Sequence, residues 1–331
     1  MRSSWAVLAA LAVGVPALAA CSGPVGSASA RDVAWVATGG SVTLPGTGVT
    51  PVRLDQRRVE PEVDVGSLPS ALAYAPGGAG LLVVTQGDDM LREIDTATHD
   101  VVHSVGVGIE PDAVAVAPGG TGGKGIALVA NRDSDTVTPV DLGTWKAHGA
   151  VPVGASPVAV AVYVAPSGAA TAFVADFGSN AVTPIDVATL QPGAAIAVGA
   201  GPQTVAVASG DVLVGNFGNH TLTSIDATTL RPGRAAPLPF NPTGIAVAPT
   251  GTTAYVCGGA GVVAVSVPAL AVGPAVTLPD VAQGIALSAD GTTAWVTQQA
   301  GSLVPVMLRS GSAGPPIHLG GHPSAIVIGS G

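Results

Sequence analysis

The sequence predicts an all-β chain, a seven-bladed β-propeller whose ring is closed by a C-terminal inner strand pairing with N-terminal strands. Three observations carry this reading. One unit recurs: segments starting at Pro69, Pro111, Pro157, Pro202, Pro242, Ala282 and Pro323 run into an alternating apolar strand, at spacings of 42, 46, 45, 40, 40 and 41 residues. Self-similarity at that period marks a propeller or a solenoid. Each unit shows period-two patterns broken by Gly, Pro and Asp turns, not a helical period. The last unit is incomplete: beyond Pro323 only residues 324–328 remain as a strand, while strands at 33–37, 49–54 and 62–65 stand unassigned at the other end. Joining the two sets completes a seventh blade and leaves no open inner edge.

The elements of a unit follow in order. The first strand alternates large and small residues, as in Val160 and Val162 against Ala159 and Ala161. That suits an innermost strand, where neighbouring sheets converge and space tapers. A turn such as Pro76-Gly77-Gly78 or Pro166-Ser167-Gly168 follows, with Gly supplying positive φ. The second strand spans 81–85, 126–130, 172–175, 212–215, 254–257 or 294–297. The third ends at Asp95, Asp141, Asp186 or Asp226, each with a Thr three residues on (Thr98, Thr144, Thr189, Thr229). A short carboxylate there caps the turn by bonding the backbone ahead of it. Pro51, Pro139, Pro184 and Pro305 recur within third strands. Proline donates nothing to a ladder, so these positions require a bulge or an outward-facing site. A fourth strand ends each blade.

Three segments now carry a resemblance: VANRDSDTVTPVD at 129–141, VADFGSNAVTPID at 174–186 and VGNFGNHTLTSID at 214–226. They are similar to the repeat of the YVTN family, and the likeness extends over all seven units. It implies the propeller and no particular activity.

The first residues read as a leader. Arg2 is followed by an apolar run over 5–20, too short to span a bilayer, and then by Leu18-Ala19-Ala20-Cys21. That tetrapeptide resembles the bacterial lipobox. The resemblance implies that Cys21 takes a diacylglycerol and becomes the mature N-terminus. The domain plan is therefore a signal peptide at 1–20, a small-residue linker at 21–30 and the propeller at 31–331. The expected location is the extracytoplasmic face of the cell membrane, held through the lipid anchor.

Twelve basic and 21 acidic residues give a formal charge of −9, and aromatics are 3%. An acidic chain poor in aromatics lacks the basic footprint and stacking platforms of a nucleic-acid binder. Cys257, at the end of an apolar strand, reads as a small buried hydrophobe. Residues 119–125, GGTGGKG, resemble a phosphate loop, but no Ser or Thr follows Lys124 and no helix follows the loop. This is a loop insertion. His99/His103 and His318/His322 have a metal-pair spacing only on a helix, and here lie in hairpin and strand. No catalytic group, metal or cofactor is expected.

The candidate surface is the face carrying the loops between second and third strands and between blades, because loops on a rigid scaffold commonly carry function. Its core set is Arg132, Asp133, Asp176, Phe177, Asn180, Asn216, Phe217 and His220. The inter-blade loops add Glu110, Asp112, Gln203, Asn241, Gln283 and His322. Phe177 and Phe217 hold matching places in consecutive repeats and suit aromatic anchors. The expected function is binding or scaffolding by a monomer, with an envelope protein or small ligand as partner. The rival class is a propeller enzyme, lactonase- or lyase-like or a quinoprotein-like oxidoreductase, with its site at the central channel.

Overall fold

A computed structural model describes residues 32–39 and 46–330. Cys21, the leader and the linker lie outside the described residues. Seven small antiparallel sheets form the ring of a seven-bladed β-propeller. In blade 1 the inner strand is Pro69–Tyr74, the second Gly80–Thr85, the third Met90–Asp95 and the outer Val101–Gly106. Inner strands of blades 2 to 6 start at Pro111, Pro157, Pro202, Pro242 and Ala282. Blade 7 combines His322–Ser330 as inner strand with Asp32–Gly39 and Gly48–Arg53.

Closure follows the predicted pairing and extends it. Ala34 faces Ile328 and Ala37 faces Ala325, with an irregularity between Ala37 and Thr38. The seam with blade 1 is aromatic. Trp35 meets His99 edge to face at 5.1 Å between ring centroids. A Cβ on Gly329 would lie 2.3 Å from the Tyr74 hydroxyl oxygen, so glycine is what lets Tyr74 close over that strand.

Apolar clusters sit mainly between blades. One joins Ala34, Val36 and Val52 of blade 7 to Trp295 and Leu303 of blade 6. Another joins Phe173 and Val182 of blade 3 to Val205 and Val214 of blade 4. Each sheet is therefore buried by its neighbours, as expected of stacked repeats. Hydroxyls stitch the inner strands together: Ser324 Oγ donates to Pro69 O (3.1 Å), Ser70 Oγ to Pro111 O (2.8 Å) and Thr243 Oγ1 to Ala282 O (3.0 Å).

The third-strand prolines explain the outer strands. In blades 7, 2, 3 and 6, which carry Pro51, Pro139, Pro184 and Pro305, the outer strand is broken into two dipeptides. Each proline oxygen still accepts, from Glu60, His148, Gly193 and Gly314 at 2.7–2.9 Å. The missing N–H leaves no return bond, and the outer strand lifts away there. Blades 1, 4 and 5 hold Glu93, Ser224 and Ala264 at that place, and their outer strands run unbroken for six residues.

Candidate functional site

The two faces differ in construction. On the turn face, Asp95, Asp141, Asp186 and Asp226 do what the sequence predicts. Asp95 Oδ1 accepts from the N–H groups of Ala97 and Thr98, both at 2.9 Å. Asp186 Oδ1 accepts from the Thr189 N–H at 2.8 Å and its hydroxyl at 2.9 Å. These bonds hold the carboxyls of Asp95, Asp186 and Asp226 below their ordinary range. Asp141 also accepts from the Thr121 N–H (2.7 Å) and hydroxyl (2.8 Å), so this glycine-rich loop is bonded to the protein's own carboxylate. A shallow cavity of about 240 Å³ opens on this face between blades 6 and 7, lined in part by Asp32, Asp55, Asp290 and Trp295.

On the loop face, blades 2, 3 and 4 repeat one device. The second strand ends in a buried polar residue: Asn131, Asp176 or Asn216. A one-turn 3-10 segment follows: Arg132–Ser134, Phe177–Ser179 or Phe217–Asn219. It closes on a left-handed residue, Asp135, Asn180 or His220, at φ 54°, 52° and 53°. Asn and Asp tolerate that conformation better than most residues. The turn is bonded to the loop leading into the same blade: Arg132 N donates to Glu110 O, Phe177 N to Ser156 O and Phe217 N to Gly201 O, at 2.8–2.9 Å.

The buried residue is the peg of this joint. Asn131 Oδ1 accepts from Gly108 N (3.1 Å) while its Nδ2 donates to Thr136 O (3.3 Å) and Thr138 Oγ1 (2.9 Å). Asn216 donates likewise to Thr221 O (3.4 Å) and Thr223 Oγ1 (2.9 Å). A Cβ on Gly108, Gly154 or Gly199 would fall 2.6–2.7 Å from the peg, so only glycine admits it. In blade 3 the peg is Asp176. Its Oδ2 accepts from Thr183 Oγ1 at 2.6 Å, and Oδ1 has no hydrogen-bond partner. The residue facing it is Ala181. Burial pushes the Asp176 carboxyl up, to about 6, aided by Asp135 and opposed by Thr183 and Gly154.

In blades 2 and 3 the left-handed side chain also fastens the turn to the next blade. Asp135 Oδ1 accepts from Ser156 N and Asn180 Oδ1 from Gly201 N, both at 2.8 Å. The remaining candidates fall into place around this frame. Phe177 is half-buried with its ring against Gly201; a Cβ there would lie 3.1 Å from it. Phe217 is half-buried in the matching place, and its oxygen accepts from Asn241 Nδ2 at 2.8 Å. Asp133, Asn180 and His220 are exposed. The fold thus brings all eight core candidates to one face: Asp176 and Asn216 as pegs, Asn180 as a clamp, Arg132 turned inward to Asp112, and Asp133, Phe177, Phe217 and His220 as presented side chains.

One grouping was not legible as a group. Asp112, the second residue of its inner strand, is fully buried where Ser or Thr stitches blades 1, 5 and 7. Gln86 Nε2 donates to its Oδ1, and the Arg132 guanidinium pairs with its Oδ2. Arg132 also lies 3.5 Å from Glu110. Burial pushes the Asp112 carboxyl up to about 7 against the pull of Arg132. The available signal was a carboxylate directly after the Pro of one repeat. Among the described residues no group of three or more His, Cys, Asp or Glu side chains converges as a metal ligand set would. Cys257 is buried, with its thiol pushed up to about 12 by desolvation.

No protein-family model and no curated protein matches this chain. Solved structures do. A functionally unknown protein from Desulfotomaculum acetoxidans aligns at TM-score 0.77 and 13% identity, over 89% of this chain and 98% of that one. A provisionally assigned 6-phosphogluconolactonase from Bacteroides fragilis aligns at 0.73 and 14%, over 92% and 100%. Kuenenia stuttgartiensis hydrazine synthase aligns at 0.68 and 19%, over 78% and 88%. At these identities the likeness establishes the shared propeller fold.

Proposed function

We propose that this chain is an exported, lipid-anchored propeller of YVTN type that acts as a binding or scaffold module at the cell envelope. The observation that carries this is the threefold device on the loop face. Blades 2, 3 and 4 fasten the same turn with the same backbone bonds; blades 3 and 4 each present one large side chain from it, Phe177 and Phe217, while Arg132 in the matching place of blade 2 turns inward to Asp112. A rigid frame that repeats a display position suits recognition, since ordering costs are met in the free protein. A partner of the envelope, or a small ligand, would use the two rings as anchors and Asp133, Asn180 and His220 as a polar rim. The chain acts as a monomer without a cofactor.

The test is a double change, Phe177→Ala with Phe217→Ala. Crosslinked partners recovered from membranes should be lost while the thermal midpoint holds. A lower midpoint with partners retained would assign the rings to inter-blade packing. The anchor has its own test: Cys21→Ser should release the protein from membranes or leave it unprocessed. A processed, membrane-bound variant would overturn it.

A second reading has one observation in its favour. Asp112 is a buried carboxyl with a raised pKa beside Arg132 and Gln86, and such groups gather at catalytic sites. A lactonase-like activity would place its acid or base there, in line with the name of the Bacteroides fragilis structure. Asp112→Asn should then abolish turnover of a sugar lactone with the fold intact; no turnover in the parent protein would dismiss this reading.

A further inference from the structure

Propeller blades expose one edge each, the outer strand, and an open edge is a template for another strand. Six of these edges are guarded. Blades 2, 3, 6 and 7 have outer strands broken opposite the third-strand prolines. Blades 4 and 5 have continuous ones, but Pro232 and Pro237 sit in the first and Pro274 in the second. Among the described residues the blade 1 strand Val101–Gly106 alone is both continuous and free of proline.

Its free groups can be placed. Val107 N donates to Asp89 O at 3.0 Å, and the register sets Val105 opposite Leu91 and His103 opposite Glu93. Bonded positions alternate in an antiparallel pair. His103, Val105 and Val107 therefore face the third strand, and Ser104 and Gly106 turn their N–H and C=O groups outward; Val102 is the extra residue where the register shifts between Glu93 and Ile94. The strand is also unusually apolar for its exposure: Val101 is 40% and Val102 48% exposed, and Ile109 just beyond it is 56%. One end is stiffened, because His103 stacks on Trp145 of blade 2 (4.7 Å, 7°) and pairs with Glu93 at 2.9 Å.

We propose that this strand is a docking edge that accepts an extended, cationic strand of a partner protein by main-chain pairing. Charge selects the occupant. The chain carries a formal −9, and the edge begins at exposed Asp100 opposite Asp95, with Glu93 further along the third strand and Lys146 on the neighbouring blade. A second copy would set one acidic body against another; a cationic strand gains attraction on approach. Exposed valines give it β-branched side chains to lie against, the usual basis of strand addition. This surface is separate from the one around Phe177 and Phe217.

The test uses the full chain and an acetylated, amidated hexapeptide of alternating Lys and Val. Binding should be saturable, with amide shifts confined to Ser104, Gly106 and their neighbours. Ser104→Pro removes only an outward N–H and should weaken binding at least tenfold, with Ser104→Ala unchanged. If Ser104→Pro fails to fold, Val102→Lys at an exposed site should give the same tenfold loss by like charge. Equal binding of these variants, equal binding of an alternating Glu and Val peptide, or self-association of the chain that Ser104→Pro abolishes would each overturn the proposal.

Discussion

The two faces of the ring use the same residue type in opposite ways. On the turn face, aspartates accept backbone N–H groups and are held below their ordinary pKa, Asp186 and Asp226 while exposed and Asp95 while half-buried. On the loop face, Asp112 and Asp176 are buried and pushed up to about 7 and 6. The first set shapes turns that any carboxylate can shape in water. The second occupies places where other blades use neutral groups: Ser or Thr for Asp112, Asn for Asp176. A carboxylate in a neutral slot is costly when charged, which marks blades 2 and 3 of the loop face as locally specialised.

The comparison presumes a closed ring, and opening it should have the largest effect. Removing residues 323–331 takes the inner strand from blade 7 and exposes Trp35 and Val36, now buried. Each repeat depends on its neighbours, so cooperative thermal unfolding should be lost at both faces together. A truncated chain with an unchanged melt would mean that the N-terminal strands hold the ring unaided.

Next in size is Asp112→Ala. It leaves Arg132 and Gln86 without their shared partner, and breaking a largely buried pair is expensive. The Arg132 side chain is 18% exposed, so a loss of about 2 kcal/mol at pH 7 is expected from the urea midpoint. A loss near zero would show that Arg132 simply turns to Glu110 and that the burial of Asp112 matters little.

Asp176→Asn sharpens the contrast within one device. A carboxyl whose folded pKa is raised contributes stability that is full below its unfolded value, 3.8, and is lost as pH rises through about 6. Above that range the folded state holds a buried charge whose Oδ1 has no hydrogen-bond partner. The amide instead donates, as in Asn131 and Asn216. The variant should gain about 2 kcal/mol at pH 7.5 and nothing at pH 4, read from urea midpoints. An equal gain at both pH values would make it a packing effect.

Much of this was legible in the sequence, and for identifiable reasons. Period-two strands and Gly-rich turns are local signals, so the blades and the capping aspartates could be read directly. Closure was readable because a strand was missing at one end and spare at the other. The prolines at 51, 139, 184 and 305 posed a problem that only pairing resolves, since the break falls in the strand opposite. Asp176 and Asn216 looked like loop residues open to a ligand. Burial as pegs depends on Gly108, Gly154 and Gly199, each well before its peg in the sequence, and no local pattern joins them. The same holds for Asp112 and Gln86, which meet across two blades.

The smallest effect tests the other side of the contrast. Asp186 is exposed, and its Oδ1 accepts from the N–H and hydroxyl of Thr189. Its folded pKa is lowered, so its contribution is present above the unfolded value and is lost as pH falls through the folded one. Water replaces most of what Asp186→Ala removes, and the change should stay within about 0.5 kcal/mol at pH 7. It should shrink toward zero near pH 3, opposite in trend to Asp176→Asn. High salt discriminates further. Neutral-donor bonds to an exposed carboxylate are short-ranged and should survive 1 M chloride, whereas a contribution from distant charges would be screened. A cost at Asp186 that matched Asp112 would erase the distinction between the faces, because the fold would then depend on the turn-face carboxylate no less than on the buried one.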